Sequence, residues 1–356
     1  MHEKPVVLGS GLVALDLVLS ESTDAPPRMF AGGTCGNVLT ILSFLGWTAY
    51  PVARLCPGLA AEEIRSDMKK FGVKLDFLAR RRQGSTPIIV QRIRRRPDGS
   101  TVHRFAWSCP DCGSVLPGYK PLLRGEAAEV AAEMSRPSVF FMDRVSRGML
   151  VLAQKSREQG ALVVFEPSGI GDPKLFGEAI ELCHVFKHSR ERAIQLSAKS
   201  KKSGPLLEIE TLGGEGLRYR SRASSDALGK WSSVTAFPVR KLVDAAGCGD
   251  WCTAGLLYKT GTGGRKGFEA LDPSEIYEAL RFGQALATWN CQFMGARGGM
   301  YSTSRQEVLA AAKLIQAGDT LENRAAEQEI PEVLRCVCPA CRRKGRLRTG
   351  HAAPVG

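Results

Sequence analysis

Residues Val243 to Leu257 read Val-Asp-Ala-Ala-Gly-Cys-Gly-Asp-Trp-Cys-Thr-Ala-Gly-Leu-Leu. They follow Phe237-Pro238-Val239, where a strand is expected to end. Ala245, Ala246, Gly247 and Gly249 are small enough for a tight turn, and a helix is expected to open near Asp250. A strand, a small-residue turn and a helix N-terminus make an anion site. Unpaired N–H groups point outward there and the helix dipole favours negative charge. Gly247 and Gly249 let backbone approach a phosphate without Cβ interference. Asp250 is out of place beside an anion unless it serves as a base or as a helix N-cap.

Three further stretches bear on that chemistry. Asp16 interrupts the apolar run Leu12–Leu19, where a charge is costly without a partner. Gly32-Gly33 leads through Thr34, Cys35 and Gly36 to Asn37, whose amide both donates and accepts, as a polyol requires. Leu206–Thr211 reads as a strand followed by the turn Leu212-Gly213-Gly214-Glu215-Gly216.

Asp-Ala-Ala-Gly-Cys-Gly-Asp resembles the Asp-Thr-x-Gly-Ala-Gly-Asp signature of the ribokinase-like (PfkB-type) sugar and nucleoside kinases, with Cys248 where the family usually has Ala. The resemblance extends over about residues 5–316, and it implies the roles that follow. Asp250 takes the proton of the acceptor hydroxyl. Ala246, Gly247, Cys248 and Gly249 form the anion hole for the phosphoryl group. Asp16, Gly32, Gly33 and Asn37 hold the acceptor, following the family's Asp after the first strand and its Gly-Gly-x-x-x-Asn pattern. Ser189, Thr211, Gly213, Gly216 and Asn290 lie on the nucleotide side, with a turn near Gly295. The implied reaction is ATP-dependent phosphorylation of a hydroxymethyl group on a sugar, nucleoside or related polyol, with Mg²⁺ bridging the ATP phosphates.

Two segments depart from the family pattern. Glu166-Pro167-Ser168 stands for Asp-Pro-Asn. In Cys183–Arg192, Ser189 and Arg192 stand for the Asn and Glu of the family's metal-organising Asn-x-x-Glu. An arginine there removes a carboxylate and can place a cation on the phosphates. These departures keep a second reading open: a kinase-fold binding or regulatory protein with weakened catalysis.

The chain has 11 cysteines, an odd number. Cys109-Pro-Asp-Cys112-Gly and Cys338-Pro-Ala-Cys341, with Cys336 just before the second pair, resemble zinc knuckles and lie outside the general kinase pattern. Each pair supplies two of four tetrahedral ligands, so Cys109, Cys112, Cys338 and Cys341 are expected to share a structural Zn²⁺. A redox pair or a site between subunits would use the same residues.

With 356 residues and 44% hydrophobic composition, the chain can bury a sizeable core. Alternating strand and helix patterns point to an α/β fold. A three-layer α/β/α sandwich is expected, with a mostly parallel central sheet and ligands beyond the strand C-terminal ends. Ser85–Ile93, a turn at 97–100 and Thr101–Trp107 read as a β-hairpin. The resemblance makes residues 85–107 a small β lid over the acceptor, with Thr86, Gln91, His103 and Arg104 as candidate contacts, and lids of this family can pair into homodimers. Residues 1–320 are expected to form the kinase domain. Residues 321–356 read as a polar linker and a cysteine-containing basic tail.

The net charge of +13 suits an anionic ligand such as ATP. Charge concentrates at Arg80–Arg82, Arg92–Arg96 and Arg342–Arg348. Such runs are usually solvated faces, and no nucleic-acid-binding motif accompanies them, so nucleic acid is not the expected partner. No apolar run reaches the roughly 20 residues of a membrane span. Met1–Pro5 lacks a basic start and apolar block, so a cytoplasmic location is expected.

Overall fold

The computed structural model describes residues 4–19, 28–80, 83–95, 101–134, 136–191, 204–222, 228–319 and 337–343. The expected turn at 97–100, Cys336 and the expected polar linker lie outside the described residues. The chain begins β1 (Val6–Ser10), β2 (Ala14–Leu19), β3 (Arg28–Gly32), α1 (Thr34–Phe44), β4 (Thr48–Leu55), α2 (Leu59–Lys70) and β5 (Leu78–Arg80). The hairpin β6 (Ile88–Arg95) and β7 (Thr101–Ala106) follows. Helices and strands then alternate through α3 (Arg124–Glu133), β8 (Val139–Met142), α4 (Arg147–Glu158), β9 (Leu162–Phe165), α5 (Pro173–Leu182), β10 (Val185–Ser189) and β11 (Leu207–Thr211). After the hairpin β12 (Gly216–Ser221) and β13 (Ser232–Thr235), the described remainder is helical: α6 (Cys248–Thr260), α7 (Gly264–Glu269), α8 (Pro273–Asn290), α9 (Arg305–Gln316) and the short α10 (Pro339–Arg343).

Nine strands form the main sheet in the order β13-β12-β11-β10-β9-β8-β1-β4-β5. Its interior ladders are parallel and the β11–β12–β13 edge is antiparallel. Side chains alternate between two faces, as strand geometry requires. Val7, Val139, Phe141, Leu162 and Val164 pack with α1, α6, α8 and α9. Leu8, Phe140, Met142, Val163 and Phe165 pack with α3, α4 and α5. That alternation is the physical content of the three α/β/α layers. Because both faces are covered, β8 and β9 are apolar throughout, as a buried parallel sheet demands.

A second sheet of four strands, β3-β2-β6-β7, stands apart as the lid. The expected hairpin forms it, with β6 and β7 antiparallel from Val90–Ala106 to Arg95–Thr101. The sequence reads Pro5–Leu19 as one continuing strand. Instead the chain breaks after Ser10, and Ala14–Leu19 joins the lid sheet between β3 and β6. The strand expected to end at Val239 ends at Thr235, leaving a long loop before α6. No helix among the described residues is long and apolar enough to cross a membrane.

Candidate active site

The site lies beyond the C-terminal ends of the main-sheet strands, where the loop 236–247 runs into α6. Gly247 caps α6 in the left-handed region, φ 76°. A Cβ at Gly247 would come within 2.2 Å of the Ala296 carbonyl oxygen. Only glycine fits, because both the φ and the close approach exclude a side chain. No side chain caps the helix. The first intrahelical bond there runs from Trp251 N–H to Gly247 O, 2.9 Å. The amides of Gly249 and Asp250 therefore precede the intrahelical ladder and suit an anion. The Ala246 amide is already committed: it donates to Asp244 Oδ1 at 2.8 Å. Cys248 N–H reaches back to Ala245 O at 3.4 Å.

Asp244 is fully buried and serves two loops. Its Oδ1 holds Ala246, and its Oδ2 accepts from Gly295 N–H at 2.8 Å. The loop 295–299 is fixed further by Asn290, whose Nδ2 donates to Ala296 O at 3.2 Å, and by Trp251 Nε1, which donates to the same oxygen at 3.0 Å. Asn290, expected on the nucleotide side, is completely buried and spends its amide on this loop. Cys248 turns its Sγ toward Cys291 Sγ, 3.0 Å away.

Asp250 sits in the first turn of α6 and is 9% exposed. Its Oδ2 accepts from Asn37 Nδ2 at 2.7 Å. Asn37 Oδ1 in turn accepts from Arg297 Nε at 3.0 Å. Burial and then the neighbouring Glu166 carboxylate push the Asp250 carboxyl well above its usual range, against the Asn37 hydrogen bond and the Lys187 cation. A carboxylate shifted upward is a better base near neutral pH than an ordinary one.

The residues expected on the acceptor side converge from three elements. Asp16 projects from β2 opposite Phe30 of β3. Gly32 lies under it so closely that a Cβ there would meet Asp16 Oδ2 at 1.9 Å. Gly33 caps α1, which carries Asn37. Burial pushes the Asp16 carboxyl up to about 7, opposed by the Arg297 cation and the Gly33 N–H. Arg297 is 3% exposed, bonds Asp67 Oδ2 at 2.7 Å and the Ala31 carbonyl, and leaves Nη1 without a hydrogen-bond partner. Tyr301 closes the far side by donating to Asp67 Oδ1 at 2.9 Å.

A second cluster stands on the other flank of Asp250. Lys187 of β10 and Glu166, just past β9, form a buried ion pair. Lys187 Nζ donates to Gly249 O at 3.1 Å, and Thr253 Oγ1 donates to Glu166 Oε2 at 2.6 Å. Burial alone would lower the Lys187 pKa, but Glu166, Cys252 and Asp250 outweigh it and hold the ammonium above its ordinary value. Ser189 and Thr211 are register partners at the C-terminal ends of β10 and β11. Gly213 and Gly216 bracket the 3₁₀ turn that follows. These nucleotide-side candidates thus share one rim. Arg192 lies outside the described residues.

Sequence reasoning brings Asp16, Gly32, Gly33, Asn37 and Asp250 to one place, and they meet there. It misses Lys187, Thr253, Asp67, Arg297 and the loop-tying role of Asp244. Asp244 carried a signal, since it opens the small-residue stretch. Lys187 also carried one, because an isolated lysine in an apolar strand implies a buried partner.

Residues 175–303 match the family model described as pfkB family carbohydrate kinase. Ketohexokinase of Mus musculus is 25% identical over 317 residues, spanning 84% of this chain and 99% of that protein. Among solved structures, fructokinase with bound ATP from Xylella fastidiosa superposes with a TM-score of 0.67 at 19% identity, over 87% of this chain and 99% of that one. Ribokinase of Arabidopsis thaliana complexed with ribose and ATP gives 0.64 at 17% identity, with coverage of 87% and 99%. The last two establish the fold. The fold is ribokinase-like, and the match of residues 175–303 together with the signature around Asp250 makes the chain similar to the pfkB family carbohydrate kinases.

Proposed function

We propose that this protein transfers the γ-phosphoryl group of ATP to a hydroxymethyl group of a sugar, nucleoside or related polyol. The observation that carries the reading is Asp250. A buried carboxylate with a raised pKa stands in the first turn of an uncapped helix. An anion site and a base thus share one turn. Asp250 takes the hydroxyl proton as the acceptor oxygen attacks phosphorus, and the bond to the departing ADP oxygen breaks. The Gly249 and Asp250 amides stabilise the charge on the transferring group. Asp16 and Asn37 orient the acceptor hydroxyls, with Gly32 and Gly33 keeping the floor free of side chains.

Magnesium bound with ATP would keep most of its waters and need one or two carboxylates. The oxygen chemistry of this rim fits it. Glu166 is the nearby acid, and it would reach the ion's water shell while held by Lys187 and Thr253. Bound there, the ion would neutralise phosphate charge. Lys187 brings a fixed cation to the same corner, which offsets the acid absent at position 192. Ser189, Thr211, Gly213 and Gly216 form the nucleotide side of the proposal, with Asn290 positioning the 295–299 loop.

Lid pairing into a homodimer belongs to the same reading. Phe105 and Trp107 are 55% and 59% exposed on the lid's outer strand and just beyond it. Sedimentation of the full chain tests it, and a monomer at micromolar concentration overturns that part.

The deciding experiment is ATP consumption with a panel of sugars and nucleosides, for the wild type and for Asp250→Asn. Turnover with one class of acceptor, lost in the variant, supports the proposal. ATP binding without turnover on any of them overturns it in favour of a kinase-fold binding protein.

A further inference from the structure

We propose that Cys109, Cys112, Cys338 and Cys341 form a tetrathiolate Zn²⁺ site that fastens the chain's tail to the base of the lid. The first pair follows β7 at the end of the lid hairpin. In the second, Cys338 precedes α10 and Cys341 lies within it. Their four sulfurs all lie within 4.8 Å of one another. Cys109 Sγ is 3.8 Å from Cys341 Sγ, and Cys112 Sγ is 3.8 Å from Cys338 Sγ. A zinc–sulfur bond of about 2.3 Å in a tetrahedron requires sulfur–sulfur edges of about 3.8 Å. Disulfides need sulfurs about 2.05 Å apart, and none of the four is bonded to another.

The surroundings suit a metal thiolate. Cys109, Cys338 and Cys341 are buried. Cys109 Sγ takes hydrogen bonds from the backbone N–H groups of Asp111 and Cys112, and Cys112 Sγ from Ser114. The turn closes through Gly113 N–H to Cys109 O at 2.9 Å and Cys109 N–H to Ser114 O at 2.8 Å. This hairpin aims amides at sulfur, which spreads the charge of a thiolate. Four thiolates and Zn²⁺ carry a net charge of about −2 by simple addition, and α10 supplies Arg342 and Arg343 in its last turn.

A reason for the site follows from α10 itself. A five-residue helix cannot sustain itself in water. Val337, Cys338 and Cys341 nevertheless pack among Leu17, Leu55, Ile88, Val90 and Leu116 beneath the lid. Zinc at the four sulfurs would turn that small contact into a fixed joint, since binding free energy at a structural metal site is folding free energy. The metal would then link two segments 226 positions apart, independently of what the kinase site does.

The test uses the full chain purified without chelator. Elemental analysis is expected to find about one zinc per chain. Replacement by Co²⁺ is expected to give the visible bands of a tetrahedral tetrathiolate, and Cys338→Ser with Cys341→Ser is expected to abolish both. Limited proteolysis is expected to cut near 337–343 only after a mercurial has displaced the metal from wild-type protein. That readout holds even if the double variant fails to fold. Protein without zinc, protein with iron instead, disulfides among the four cysteines, or metal that binds only to a cross-linked dimer would each overturn the proposal.

Discussion

Asn37 and Asp250 are 213 positions apart in sequence, and the amide of one donates to the carboxylate of the other at 2.7 Å. Their contact joins α1, the proposed acceptor floor, to the first turn of α6, the proposed phosphoryl corner. It also fixes which way the base points. Asn37 anchors Oδ2, which leaves Oδ1 as the oxygen the proposed function assigns to the hydroxyl proton.

Replacing Asp250 by Asn tests the base directly. The amide oxygen still accepts from Asn37, so the fold is retained. The kcat is expected to fall by at least about 10³-fold, the upper range for a lost general base. Thermal stability at neutral pH is expected to hold or rise, because a desolvated acid beside Glu166 is removed. Steady-state kinetics with a melting curve separates the two effects.

The Lys187–Glu166 pair should behave as a buried ion pair. Lys187→Met leaves Glu166 without its cation and is expected to cost about 3–5 kcal/mol. Adding Glu166→Gln is expected to recover much of that loss. A double-mutant cycle by chemical denaturation reads the coupling. Near-additive losses would show that the two residues act independently.

Gly32→Ala places a methyl group where the Asp16 carboxylate now lies, since the ideal Cβ falls 1.9 Å from Oδ2. The carboxylate must move. The expected result is a rise in acceptor KM of about tenfold, the equivalent of one lost hydrogen bond, with the KM for ATP little changed. Initial rates with each substrate varied in turn would show it.

The share of stability set by the buried carboxyls should decline as pH rises toward neutrality, opposed by His184, whose imidazole is pushed down to about 3 by burial. The Asp16 carboxyl has an unfolded value of 3.8 and a folded value of about 7. Between those values the native state holds a proton that the unfolded state has lost, so unfolding free energy falls with increasing pH. The contribution is full below 3.8 and gone above about 7. Asp143 and Asp250, also shifted upward by burial, act with the same sign. Asp16→Asn is expected to flatten part of this slope in melting curves taken from pH 4 to 8.

The turn into α6 is legible in sequence because its signals are local: small residues, an αL glycine and a helix start lie in one stretch. The lid hairpin is legible for the same reason. The split of Pro5–Leu19 is not, because a continuous apolar run carries no mark where a strand changes sheets. The break falls at Gly11, where a Cβ would come within 1.7 Å of Asp143 Oδ1, a partner far away in sequence. Asp67 lies on a helix with a charged face, where its bonds to Arg297 and Tyr301 leave no sequence trace. The four-cysteine cluster was readable from two repeated Cys-Pro-x-Cys turns, since a thiolate turn is as local as a glycine turn.

Asp244 holds Ala246 with one oxygen and Gly295 with the other. The first loop leads to the phosphate side, and the second carries Arg297, which grips Asn37 beside Asp16. A movement of either loop therefore strains the other. Under the proposed function, any free energy by which the acceptor settles the 295–299 loop would be felt equally by the nucleotide, because such coupling is reciprocal. Asp244→Asn, which trades one acceptor oxygen for a donor, is expected to weaken that coupling, read as ATP affinity measured with and without acceptor.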